Sequence, residues 1–266
     1  MVLPAKSENV AVVRHALAGL AEEIGMDEPG LADLKTVVTE ACMNVVVHAY
    51  QGGPGPLAVD AKPDPEGLTV VVRDEGVGIR PQAETERNSL RLGLSLIAAL
   101  SSSFSISGGL DQGTEITMRV PLEGGGADGK DNGDTVELKP YPADRTEMIV
   151  DRSDLLAPVL ARVVAALAAR RDLSVDRVSD AVLVTDAIAS SAPERFEDGR
   201  VRLGLDERED GIDLRLGPLD EGAAERIRAD LDVPDVGGSL EKLADELTVE
   251  QSDDGEYLII RFAAAP

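Results

Sequence analysis

Three residues spaced one helical turn apart, Glu40, Asn44 and His48, lie in the run Val37-Val-Thr-Glu-Ala-Cys-Met-Asn-Val-Val-Val-His-Ala-Tyr50. At about 100° per residue they form one stripe of a helix, beside an apolar stripe of Leu34, Val38, Ala41 and Val45 that should face a core. A carboxamide oxygen such as that of Asn44 is a hard ligand of the kind magnesium accepts while keeping several waters. A carboxylate one turn earlier, Glu40, could activate a hydroxyl or water for attack on a γ-phosphate. The same residues equally suit an amphipathic helix whose polar side meets solvent.

Further along, the strand-like Val70-Val-Val-Arg runs into Asp74-Glu-Gly76-Val-Gly78. A carboxylate fixed at a strand end can accept from the exocyclic amine of adenine, and glycines after it let the backbone turn and approach a ring closely. Aspartate and glycine are also what an ordinary turn requires. In Leu92-Gly93-Leu94-Ser95 a loop enters an apolar helix, whose first N–H groups could hold phosphate; a helix that only packs would read the same. Arg87 and Arg91 could assist there, or simply be solvated. Gly113-Thr114 precedes the last strand of this half, where Thr114 could hydrogen-bond near the adenine or serve as a β-favouring residue.

The elements that must position these residues follow from the hydrophobic pattern. Val10, Val13, Leu17, Leu20 and Ile24 predict a first helix stopped by Gly25. A second helix starts near Asp27-Glu28-Pro29 and runs through Tyr50, with Gly52-Gly53-Pro54-Gly55 ending it. Strands are expected over Leu57 to Ala61 and Leu68 to Arg73, around a turn from Pro63 to Gly67. A helix over Leu92 to Leu100 and strands over Phe104 to Ser107 and Thr114 to Pro121 complete the set. Helix, helix, strand, strand, helix, strand, strand makes a two-layer α+β sandwich with helices on one face of the sheet.

The glycine- and aspartate-rich stretch Glu123 to Asp134 reads as a linker, dividing the chain into domains 1–122 and 135–266. The flanks align without a gap from Ser7 to Ala41 against Ser153 to Ala187, and Asp111 to Arg119 lines up with Asp253 to Arg261. A tandem duplication is therefore expected, its second copy degenerate.

The order Glu40 with Asn44, then Asp74-x-Gly76-x-Gly78, Gly93 at a helix start and Gly113-Thr114 resembles the GHKL, or Bergerat-fold, ATPase superfamily. Within it, Glu40-Ala-x-x-Asn44-x-x-x-His48-Ala-Tyr50 is most similar to the anti-sigma-factor serine kinases of the RsbW and SpoIIAB type, over residues 5 to 122. The resemblance implies ATP and Mg2+ as cofactors, Glu40 as catalytic base and Asn44 as magnesium ligand. It implies Asp74 as adenine anchor, with Gly76, Gly78, Leu92, Gly93, Leu94 and Thr114 as further nucleotide contacts. The implied activity is phosphorylation of a serine on an anti-anti-sigma (STAS) protein, coupled to sequestration of a sigma factor and so to transcription regulation.

Two features depart from that pattern. Leu90 and Arg91 stand where the family often has further glycines, and the lid, Arg80 to Arg91, is short. In the second half Asp186 and Ser190 replace the glutamate and asparagine, Ala224 replaces the second glycine, and Glu256 replaces the threonine. Serine reaches less far than asparagine and an alanine methyl crowds the backbone, so this half is expected not to bind ATP productively. It could instead pack as an internal pseudo-dimer or offer a docking surface; homodimers are the other option.

Bulk composition limits the alternatives. A net charge of −24, from 26 basic and 50 acidic residues, would repel a phosphate backbone, which argues against nucleic acid and anionic membranes as partners and suits a basic protein partner. One cysteine and two histidines exclude an intrachain disulfide and leave little for a zinc centre. Without a leader-like start or a long apolar run, the expected location is cytoplasmic. The competing readings are a non-catalytic binding protein of the same fold and a histidine-kinase-type ATPase domain. His15 lacks the acidic and proline neighbours of a phosphoacceptor, and no transducer domain of a gyrase-type hydrolase is visible.

Overall fold

A computed structural model describes residues 1–78, 93–109, 112–122, 146–151, 156–171, 173–191, 200–230, 232–233, 238–239 and 243–263. The chain forms two compact units, Met1–Asp144 and Arg145–Pro266. The linker 123–134 and the lid 80–91, with Arg87, Arg91 and Leu92, lie outside the described residues.

The first unit runs β1 (Val2–Pro4), α1 (Ser7–Glu23), α2 (Glu28–Asn44), a π-helical turn (Val45–Ala49), β2 (Pro56–Asp64), β3 (Gly67–Asp74), α3 (described over 93–100), β4 (Ser103–Gly108) and β5 (Thr114–Pro121). Gly25, at φ +80°, ends α1 in the left-handed conformation that glycine adopts without strain. The Asp27 carboxylate accepts from the Gly30 N–H at 2.9 Å and starts α2, with Pro29 in its first turn. Every neighbouring strand pair is antiparallel, in the order β1-β2-β3-β5-β4. Leu34, Val38, Ala41 and Cys42 of α2 are buried along with Leu57, Val70, Ile116 and Met118 of the sheet, and α2 packs on β3 and β5. Burying each large apolar side chain contributes about 1.5–3 kcal/mol. The Cys42 thiol, pushed up to about 12 by burial, is a core group. This is the α+β sandwich expected of the residue pattern.

Two local expectations need correction, and one strand was not anticipated. The second helix does not continue regularly to Tyr50: from Val45 it widens into the π-helical turn, where successive β-branched valines crowd a regular α-turn. Strand β2 extends through Pro63 to Asp64, leaving a turn of two residues; Pro63 lacks an N–H but lies beyond the three residues, 56–58, that pair with β1. Strand β1 itself was too short to betray a period.

The second unit runs β6 (Thr146–Asp151), α4 (Leu156–Arg170), α5 (Val175–Ser191), β7 (Arg200–Arg208), β8 (Gly211–Leu219), α6 (Ala223–Asp230), β9 (Asp232–Val233), β10 (Gly238–Ser239), β11 (Glu246–Ser252) and β12 (Gly255–Ala263). Its main sheet is again antiparallel, in the order β6-β7-β8-β12-β11, while β9 and β10 pair separately. Counting only main-sheet strands, both units place the first, second, third, fifth and fourth side by side. Val163, Leu167, Val184, Leu214, Leu258 and Phe262 are among its fully buried residues. On the other face of the sheet arginines gather, each matched to an acid: Arg202 to Asp254 at 2.9 Å, Arg215 to Glu250 at 3.0 Å, Arg261 to Asp210 at 2.6 Å, and Arg208 to Asp213. Among the described residues no helix is long and apolar enough to cross a membrane.

Candidate functional site

On α2 the apolar stripe is buried, Leu34 and Val45 being 1% and 3% exposed, and Glu40, Asn44 and His48 sit half-buried at its edge. The first described residue of α3 meets that edge. A Cβ built on Gly93 would lie 2.8 Å from Oε2 of Glu40 and 3.7 Å from Oδ1 of Asn44, so a side chain here would require the Glu40 carboxylate to shift. The Asn44 Nδ2 is buried and has no hydrogen-bond partner among the described residues. Leu94, next to Gly93, is half-buried.

Asp74 ends β3 and pairs across the sheet with Thr114 of β5. Its Oδ1 accepts from the Gly76 N–H at 2.9 Å, and the nearby Thr114 main chain and hydroxyl also favour the ionised carboxylate. Desolvation nevertheless outweighs these effects and raises the Asp74 pKa. The turn that follows is held main chain to main chain: the Gly113 N–H donates to the Gly76 carbonyl at 3.1 Å. Gly78, at φ +67°, and Gly113, at φ +71°, have no room for a side chain; their Cβ atoms would lie 1.9 Å from the Gly109 carbonyl oxygen and 2.0 Å from that of Asp74.

Two groups thus form, Glu40 with Asn44 and Gly93, and Asp74 with Gly76, Gly78 and Thr114. The π-helical turn joins them. The Ala49 carbonyl, a helix-end group without a helical donor, accepts from the Val77 N–H at 2.9 Å, and a Cβ on Gly76 would strike the same carbonyl oxygen at 2.2 Å. Tyr50 adds a second tie: its hydroxyl donates to the Pro56 carbonyl at 2.5 Å and accepts from the Glu75 N–H at 2.9 Å. Burial, with the nearby Asp74 and Glu75 charges, pushes the Tyr50 phenol up to about 12. The sequence reading quoted Tyr50 only as part of a motif and gave Ala49 no role. A tyrosine at the helix end, followed by the glycine- and proline-rich chain reversal, was the available signal.

In the second unit the turn after β8 leads directly into α6, and Glu256 of β12 reaches it. Its Oε1 accepts from the Gly222 N–H at 2.8 Å and from Nε2 of Gln251 at 2.9 Å, and its Oε2 accepts from the Ala224 N–H at 3.2 Å. The Gln251 and Gly222 bonds lower its pKa despite burial. Asp186 and Ser190 belong to α5, but their side chains lie outside the described set.

The first unit's residues suit a magnesium nucleotide. An amide with an unpartnered nitrogen and an oxygen close to Gly93 can serve phosphate or its cation, and glycines clear space beside both carboxylates. Among the described residues no three acids, histidines or cysteines cluster as a protein-only metal cage.

Comparison with known proteins agrees on the first unit. Residues 3–120, under half of the chain, match the family model of the histidine kinase-like ATPase domain. The chain is 38% identical over 77 residues to proteins named serine-protein kinase RsbW from Bacillus cereus (strain Q1), Bacillus thuringiensis (strain Al Hakam) and Bacillus anthracis (strain CDC 684 / NRRL 3495). That stretch is 29% of this chain and 48% of each relative, so the chain spans about half the length of the curated relatives it matches.

Proposed function

We propose that the first unit is an ATP-dependent serine kinase that phosphorylates an anti-anti-sigma protein of the STAS type and sequesters a sigma factor, and that the second unit is a degenerate copy of it. The observation that carries this reading is the approach of Gly93 of α3 to both Glu40 and Asn44, which sets main chain without a side chain against a carboxylate and an amide. The likeness to RsbW kinases over 77 residues supports it.

In this reading Asn44 and the N–H groups near Gly93 and Leu94 hold the phosphates and their magnesium ion, and Asp74 with Thr114 holds the adenine. ATP supplies the γ-phosphoryl group, and the cation neutralises charge on the phosphate oxygens. Glu40 accepts the proton of the incoming serine hydroxyl on its carboxylate. The raised pKa of Asp74 comes from the dry setting that strengthens its hydrogen bond to an amine. The acidic chain suits basic surfaces on its protein partners. Direct nucleic-acid and membrane contacts are not part of the proposal, and a cytoplasmic setting is.

The test is titration of the purified protein with ATP and magnesium, with Asn44→Ala and Asp74→Ala as controls. Binding lost in both variants supports the site, and binding retained in both removes it. With a STAS protein added, phosphoserine should form and should vanish in Glu40→Ala at unchanged ATP affinity. Normal transfer by that variant refutes Glu40 as the base.

A further inference from the structure

The second unit carries a carboxylate, Glu256, at the position aligned with Thr114 of the first unit. Asp74 and Thr114 face each other across β3 and β5. In the second unit Glu256, aligned with Thr114, extends past its own strand partner Leu219 to the turn beyond. Each carboxylate oxygen there takes a backbone N–H, from Gly222 and Ala224, the residues aligned with Gly76 and Gly78. Gln251 braces Oε1 from the neighbouring strand, and Glu256 is only 6% exposed.

We propose that the Glu256 carboxylate is a built-in occupant of the β8–α6 turn, holding shut the place that Asp74, Gly78 and Thr114 frame in the first unit, so that the chain takes one nucleotide. The inference rests on reading the second unit as a degenerate copy. A carboxylate on amide donors at the start of a helix makes charge-assisted bonds that also complement the helix dipole. Being tethered, it competes at high effective concentration with any free ligand for those donors. It also places a negative charge where a nucleotide would bring more. The turn is therefore set in one conformation whether or not ATP is present, and nucleotide is sensed by the first unit alone.

Hydrogen exchange of the full-length protein decides this. In Glu256→Thr the Gly222 and Ala224 amides should exchange about tenfold faster or more, the scale of losing charged hydrogen bonds, while α4 keeps its protection. Glu256→Gln, which retains an acceptor oxygen, and Gln251→Ala, which removes only the brace, should give smaller accelerations and remain readable if the threonine variant unfolds. In the wild type, ATP with magnesium should protect 74–78, leave 219–226 unchanged and bind once per chain. Unchanged exchange in all three variants, or two nucleotides per wild-type chain, overturns the proposal. Should no nucleotide bind at all, the kinase reading falls, and the exchange comparison alone still decides the role of Glu256.

Discussion

Gly93 and Gly78 are both short of space, but against different neighbours. The atom nearest a Cβ at Gly93 is the mobile end of Glu40, so Gly93→Ala should fold with stability within about 1 kcal/mol of wild type while displacing the carboxylate. Phosphoryl transfer should drop at least tenfold; equal kcat and KM would show that the approach is incidental. At Gly78 the neighbour is a backbone carbonyl and φ is positive, so Gly78→Ala should cost about 1–3 kcal/mol in urea unfolding. Asp74 works against the fold it serves. Its folded-state pKa is raised from 3.8, so the native state keeps a proton that the unfolded state releases, and stability falls as pH rises from about 4 through the raised value. Asp74→Asn should abolish ATP binding and yet gain on wild type across that window in pH-dependent melting. A gap that does not widen with pH would show that desolvation of Asp74 is not the cause. Asn44 and Asp74 were legible as candidates from residue type and spacing alone. The unpartnered Nδ2 of Asn44 was not, because it depends on what the fold leaves out of reach.

Among the elements, the π-helical turn and Tyr50 couple the two halves of the site. Tyr50→Phe removes a donor to Pro56 and an acceptor for Glu75, and should cost about 1–2 kcal/mol while weakening ATP binding through the loosened 74–78 turn. With the phenol raised from 10.0 to about 12, wild-type stability is lost as pH climbs through that interval, and the phenylalanine variant should lack this alkaline loss. Helices and strands were readable because apolar periods of 3.6 and 2 survive in a single sequence. The widened turn was not readable, since valine suits helix interior and core alike until the main-chain partner of Ala49 is known. Pro63 misled for a similar reason: proline signals a break only where both strand edges are paired, and here one edge has no strand partner among the described residues. In the second half Glu256 was visible at the position aligned with Thr114, but its bonds to Gly222 and Ala224 were not, because they bridge 34 and 32 residues.

At the scale of the whole molecule, the described arginines of the second unit's open sheet face are matched to acids, so the net charge of −24 is not offset there by a free basic patch. Capture of a basic partner should therefore slow as salt rises, by about tenfold or more between low and high ionic strength in stopped-flow association. A salt-independent rate would mean that charge does not steer the encounter. The shared order of strands in the two units has a practical corollary. Each chain carries its own reference: a dye or nucleotide analogue reporting on the first unit meets, in the same tube and at the same concentration, a lookalike scaffold with its corresponding turn already spoken for. Signal arising equally from both would mark the probe as an indiscriminate binder before any separate blank was run.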